Sequence, residues 1–494
     1  MKEKHIKYIF IIFLLVLPAC IAFTRILPFI DLPFRLMAST IFRYYDSADY
    51  LFNQYYTIPT LFKSNVFHLI FCSLKIFPDV ETADKIYYII YFVSFPVLLY
   101  FLIKKLGGNK WYSFLGFFVV FSFEVNWGFA DYSMSISALL IFLMIVLFAL
   151  KKKNILGALF CAAAIIATFF IHFQTAIYEI VLLLISVILV FRKDLKKILL
   201  YAAAVIPSLI LMAYVYLLDS NRGHEDLLSY LKNYYVNDYP AELITRLKNL
   251  FFIMNYHLGE KPYGVIIGLC VSAIIILPVT YLLFKKKLKF NFREVPEILL
   301  STSIIFYFIL PDIIPGQNLI SSRFVILIYI GLILFISKAA ISDLQFSKYL
   351  KMITVLLLIF FAVTVDYFWG FNKAAEGFDK KLFEGTEGKS ALTSIIDKRM
   401  YRGSPVFVHF ENYYTVWTKK ISTGLTDYRY GIIRRNVSKE ILPEFDPWSK
   451  FSDYPAARYT NAGYLLLKSD SEINDGLFKI VNSSGDWKLY KRNN

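Results

Sequence analysis

The sequence has little cysteine and little histidine, with four Cys and six His in 494 residues. Cys20, Cys72, Cys161 and Cys270 all lie in apolar segments, which excludes a disulfide framework and implies no thiolate metal site. His68, His224 and His257 lack ligand spacing with any partner. Internal repeats, low-complexity tracts and D-x-D pairs are also missing; Asp46 and Asp49 in YYDSADY come nearest to such a pair.

Long apolar runs, by contrast, are abundant. The chain is 57% hydrophobic with a mean hydropathy of +0.55, and its runs are long enough to cross a hydrocarbon layer of about 30 Å as helices. Spans are expected near 8–26, 82–103, 111–127, 132–150, 154–172, 174–191, 198–218, 263–284, 295–311, 322–337 and 353–370. An odd number places the termini on opposite sides. The LPAC stretch at 17–20 resembles a lipoprotein cleavage box, but Pro18 is atypical there and apolar sequence continues through Phe23, so an uncleaved first helix is expected.

Basic residues set the orientation, because Lys and Arg beside a span resist translocation. The segments 1–7, 104–110, 151–153, 192–197, 285–294 and 338–351 together hold 21 Lys/Arg against 4 Asp/Glu. All six fall on one side if the N-terminus is cytoplasmic. The net charge of +16 is then orientation charge beside anionic lipid and calls for no nucleic acid. Residues 27–81, 219–262 and the region after about 372 are expected outside the cytoplasm.

The 27–81 segment is too polar to cross and too aromatic for a free loop. FRLMASTIFRYY and NVFHLIFCSLKIF within it carry helical spacing and suggest interfacial helices. From 373 to 494 the pattern changes to short strand-like runs, SPVFVHF, AGYLLLK, GLFKIVN and DWKLYKR, as in a small α/β domain. The expected fold class is therefore a polytopic α-helical membrane protein of about eleven transmembrane helices over 1–372, with a small extracytoplasmic α/β domain over 373–494.

The polar residues of interest gather on the external face. Asp31, in FIDLPFR, precedes Pro33 and a helix start, where a carboxylate can cap the first turn. Its apolar neighbours Phe29, Ile30, Leu32 and Phe34 also desolvate it, which moves a carboxylate towards useful base strength. Arg323 follows GQNLISS and begins a span, as an interfacial anchor or as a guanidinium beside helix-start amides that hold an anion. Glu124 and Asp131 bracket NWGFA, and His172 sits at the outer end of a span, where a lone His commonly serves as a helix-end hydrogen-bonder.

The order of an N-terminal span, an external D-L-P-F-R segment, surface helices, KKLGGNK, NWGFADYSMS and a later helix-end HF resembles the GT-C superfamily of polytopic glycosyltransferases. In many bacterial members the first external loop reads D-x-P followed by His, and a later turn reads N-x-G-F-x-N-Y. Asp31 and Pro33 keep the first pattern, with Arg35 in place of His; Asn126, Gly128, Phe129 and Tyr132 keep the second, with Asp131 in place of Asn.

The resemblance implies an inverting transferase that moves a sugar from a polyprenyl-phosphate donor to a glycan, lipid or protein acceptor of the cell envelope, at the inner membrane. It makes Asp31 the general base, assigns the donor phosphate to Arg323 and Arg35, and leaves Glu124, Asp131 and His172 for the acceptor or a second carboxylate. No cofactor is certain, and a divalent cation such as Mg or Mn stays open. An O-antigen-type polymerase or ligase is the alternative enzyme. A lipid or glycan flippase is the alternative class, but it predicts mid-membrane ionisable residues, whereas the acids here read as external.

Overall fold

The computed structural model of the chain describes residues 3–58, 60–218, 227–252, 262–314, 318–387, 391–424, 432–436, 448, 450, 452 and 462–493. His224 and His257 lie outside the described residues. Among the described residues, seven helices are long and apolar enough to cross a membrane: Glu3–Phe23, Val80–Lys105, Ala130–Lys152, Phe173–Phe191, Leu195–Val215, Gly264–Phe284 and Asp343–Ala374. Three shorter apolar helices, Ile155–Ile171, Val295–Ile309 and Phe324–Ser337, fall at other expected spans. The protein is a polytopic helical membrane protein.

The expected span at 111–127 is not one helix. It breaks into a 3-10 turn at Lys110–Leu115 and two short helices at Gly116–Val119 and Phe123–Trp127. Residues 111–126 are all buried. Apolarity here reflects burial within protein, and irregular backbone is tolerated at membrane depth only where protein surrounds it.

The described residues divide into two compact units. One holds residues 1–20, 89–125 and 130–365; the other holds 21–88, 126–129 and 366–494. The first is the helical one. In it Lys110 pairs with Glu3 (2.7 Å) and Lys338 with Glu294 (2.5 Å), each joining two basic segments, while Asn109 donates its amide to the Ser337 carbonyl (2.9 Å), Tyr201 its hydroxyl to the Ala149 carbonyl (2.9 Å), and Lys338 also bonds Glu297 (2.6 Å).

The second unit joins the 27–81 segment to the C-terminal region. A four-stranded sheet has the order Leu392–Ile396, Tyr464–Lys468, Trp487–Arg492, Phe478–Ser484, its first pair parallel and the others antiparallel. Ile395, Leu465, Leu467, Phe478 and Tyr490 fill one side of it. Three of the expected strands form. SPVFVHF does not: residues 406–411 fold into consecutive turns, and their apolar side chains instead build an aromatic cluster. Phe410 stacks on Trp487 (5.6 Å) and Phe407 on Phe371 (5.3 Å). The strand that takes the vacant edge, Leu392–Ile396, lies in a run not marked as strand-like in the sequence.

Candidate functional site

In the second unit, the stretch before Asp31 is fixed at several points. Arg25 donates to the carbonyls of Phe378 (2.7 Å) and Ala375 (2.9 Å), and Asn372 Oδ1 accepts the Ile26 amide (3.1 Å). The NWGF turn then meets the FIDL segment backbone to backbone. Ile30 donates its amide to the Asn126 carbonyl (3.0 Å) and Asp31 donates its own to Trp127 (2.9 Å). Gly128 makes this approach possible. Its φ is +80°, and a Cβ there would lie 3.0 Å from the Leu32 nitrogen and 3.1 Å from that of Asp31. Two motifs recognised separately in the sequence are thus one structural element.

Asn126 is locked from both ends of its amide. Its Nδ2 donates to Ser404 Oγ (2.9 Å) and its Oδ1 accepts from Tyr367 (3.1 Å). Its role is to hold the turn.

Asp31 precedes the helix Leu32–Arg43, with Pro33 in the first turn, but its side chain makes no capping hydrogen bond. The capping role open to it from sequence is not the one it takes. The carboxylate is about a quarter exposed and faces His409, with Oδ1 3.7 Å from Nε2. His409 Nδ1 in turn lies 4.0 Å from Oε1 of Glu411, which is fully buried. Ser394 and the Asn412 side-chain amide each donate to Glu411 at 3.1 Å.

Burial pushes the His409 imidazole down to about 4 and the Glu411 carboxyl up to about 8. At neutral pH both are uncharged, because a charged form is costly where water is excluded. Asp31 is the less buried of the two carboxyl groups and the one that a proton from outside can reach. A neutral imidazole beside it can accept or relay that proton. The helix Asn412–Thr418 anchors this arrangement by packing on Leu32–Arg43, where Ser422 also donates to the Met37 sulfur (3.2 Å).

Arg35, one turn beyond Asp31, acts electrostatically on the carboxylate of Asp84. Near Asp84, His68 and Cys72 complete a buried His/Cys/Asp group with donor atoms within 4.8 Å of one another. Among the described residues this is the group able to hold a metal, and it includes neither Glu124 nor Asp131.

The remaining expected residues, Glu124, Asp131, His172 and Arg323, belong to the helical unit. Arg323 precedes the helix Phe324–Ser337, its guanidinium 5.7 Å from the Tyr132 ring centroid and donating to Gln174 Oε1 (2.9 Å). Tyr132 donates its hydroxyl to the Arg323 carbonyl, and its ring meets His172 edge-on at 5.0 Å. His172 caps the helix Phe173–Phe191, accepting the Thr175 amide on Nδ1. Glu124, fully buried, interacts electrostatically with Arg323. Asp131 is buried in the first turn of its helix.

The turn before Arg323 already holds an anionic group. Asp312 Oδ1 accepts from the Ser322 amide (2.9 Å) and from the hydroxyls of Ser321 (2.8 Å) and Ser322 (2.9 Å). The protein's own carboxylate thus engages these donors of the turn.

Three functional groups escaped the sequence reading. His409 and Glu411 stand two apart in VHFE, a spacing that places two side chains on one face of extended chain, but the run was valued for its apolar residues alone. Glu179 lies inside the apolar helix Phe173–Phe191, fully buried, with the Thr168 hydroxyl donating to it at 3.1 Å. Compared with known proteins, the chain matches no family model and no curated protein.

Proposed function

We propose that the protein is a GT-C-type membrane glycosyltransferase that transfers a sugar from a polyprenyl-phosphate donor to an envelope glycan, lipid or protein, with Asp31 as general base. The observation that carries this reading is the carboxylate of Asp31. It is pinned through its backbone by the NWGF turn, released from capping, partly open to solvent and set against a neutral imidazole. Asp31 takes the proton of the acceptor hydroxyl as that oxygen forms the new bond to the anomeric carbon. The bond from that carbon to the phosphate oxygen breaks with inversion, and the phosphate leaves with the electron pair.

The departing charge needs a cation. Arg323, half-buried and oriented by Gln174 and Tyr132, is the guanidinium assigned to it; Arg35 is the lesser candidate because Asp84 already engages its charge. The topology that goes with this reading has the N-terminus in the cytoplasm, the broken 110–127 segment as an eleventh passage and residues 373–494 outside the inner membrane. Two ion pairs of the helical unit support it, Lys110–Glu3 and Lys338–Glu294, since each joins two of the translocation-resisting stretches.

The test is transfer from labelled polyprenyl-phosphate sugar by purified protein. Asp31→Asn, which keeps shape and removes the base, is expected to lower turnover about 10²-fold or more, and Arg323→Ala to weaken it as well. Full transfer by Asp31→Asn overturns the assignment.

Glu179 favours a second reading, transport of a lipid-linked glycan, because an acid buried within an apolar helix commonly marks a transport path. Reconstituted vesicles that flip the lipid without transferring sugar would support it.

A further inference from the structure

The second unit carries a side-chain cluster that the transferase chemistry does not use. The helix Phe67–Ser73 presents His68 and Cys72 four residues apart, hence on one face. Asp84, in the second turn of Val80–Lys105, faces them. All three are at most 2% exposed. Asp84 Oδ1 lies 2.7 Å from His68 Nε2, and Cys72 Sγ lies 3.4 Å from the same nitrogen. The Tyr87 ring closes one side, edge-on to the imidazole at 4.8 Å.

We propose that His68, Cys72 and Asp84 bind one zinc-class divalent cation, which ties the Phe67–Ser73 helix to the start of Val80–Lys105. The donor set is the first argument. Imidazole nitrogen, thiolate sulfur and carboxylate oxygen are zinc ligands, whereas Mg and Ca take oxygen donors. Geometry is the second. With metal–ligand bonds of about 2.0–2.3 Å, tetrahedral neighbours stand about 3.3–3.6 Å apart. The Sγ to Nε2 separation already meets this, and the His68–Asp84 pair needs to open by about 0.6 Å.

Charge is the third argument. A thiolate and a carboxylate buried together are costly unless paired or coordinated. A divalent cation with a neutral imidazole brings the cluster to zero, the thiol proton leaving to solvent as the metal binds. Arg35 disfavours a second cation, so one equivalent is expected. Three protein donors leave one tetrahedral position for water.

The experiment uses the full-length protein, purified, stripped with chelator and titrated with Co(II). One equivalent should bind with the near-ultraviolet thiolate-to-cobalt band and the intense visible bands of a tetrahedral site, and Zn(II) should bleach both. Because three other thiols are present, a Cys20→Ser, Cys161→Ser, Cys270→Ser variant serves as control and should keep the spectrum. Cys72→Ser should lose the thiolate band. Stoichiometric cobalt without that band, loss of the band in the triple variant, or no stoichiometric binding overturns the proposal. None of these readouts depends on sugar transfer, so metal binding and the transferase reading can fail separately.

Discussion

Replacing Gly128 by Ala tests how Asp31 is held. Two costs add at this position. The first is conformational: a side chain at φ +80° costs about 1 kcal/mol relative to glycine. The second is steric, since the new Cβ meets the backbone nitrogens of Leu32 and Asp31 at 3.0 and 3.1 Å, and backbone cannot rotate away as a side chain can. If the turn withdraws, the Ile30 and Asp31 amides lose their bonds to Asn126 and Trp127, at about 1 kcal/mol each.

The expected destabilisation is therefore about 2–3 kcal/mol. Gly385 supplies the control: its φ is +74° and nothing lies within 4 Å of a Cβ placed there, so Gly385→Ala reports the conformational cost alone. Denaturant or thermal unfolding of both variants in detergent, followed by the fluorescence of the C-terminal tryptophans, gives the comparison. Gly128→Ala should be the less stable by about 1–2 kcal/mol and should also lose transfer, since displacement of a catalytic group by about 1 Å can cost 10²-fold in rate. Equal destabilisation of the two variants would refute the steric contact and the pinning of Asp31 that rests on it.

Other outcomes follow from the same geometry. Glu411, raised from 4.5 to about 8, holds an extra proton in the folded chain, so its contribution to stability falls as pH rises through that window. His409, lowered from 6.5 to about 4, has the opposite slope between those values. The pair is thus nearly level from 4.5 to 6.5 and then loses about 1.4 kcal/mol per pH unit towards 8; Glu411→Gln should remove that alkaline decline in unfolding curves, and an unchanged decline would assign it elsewhere. Asn126→Ala strips partners from Ser404 and Tyr367 and should destabilise by about 2 kcal/mol, measured by the same unfolding. Asp312→Ala releases three donors before Arg323 and should lower stability by about 1–3 kcal/mol; an anion such as phosphate restoring part of it would show that those donors hold external charge as well.

Much of the helical architecture was legible because membrane burial imposes one demand, a long apolar run, and ten of the expected spans coincide with helices. The 111–127 segment is broken rather than one helix, which its sequence does not reveal, because a run such as WYSFLGFFVVFSF is apolar whether lipid or protein surrounds it. VFVHF misled by resembling a strand, when its rings were needed against Trp487. Asp31 stood out in the sequence, since a carboxylate between apolar residues has few bland uses. His409 did not, because it stands 378 positions after Asp31. The His68–Cys72 spacing was present to be read, but Asp84, which makes it a cluster, becomes a neighbour through the turn between two helices.

The unit that contains Asp31 also has a history in time. Its members include a segment near the start of the chain, four residues at 126–129 and the stretch from 366 onward. The contacts that close it span 278 positions from Asn126 to Ser404, 346 from Ile26 to Asn372 and 385 from Met37 to Ser422. A ribosome that has delivered Asp31 must still synthesise most of the protein before His409 exists to face it. Contacts so distant in sequence form late. The arrangement around Asp31 is therefore among the last features completed, and a chain that stops before residue 404 retains the carboxylate while lacking the Asn126–Ser404 bond and the imidazole.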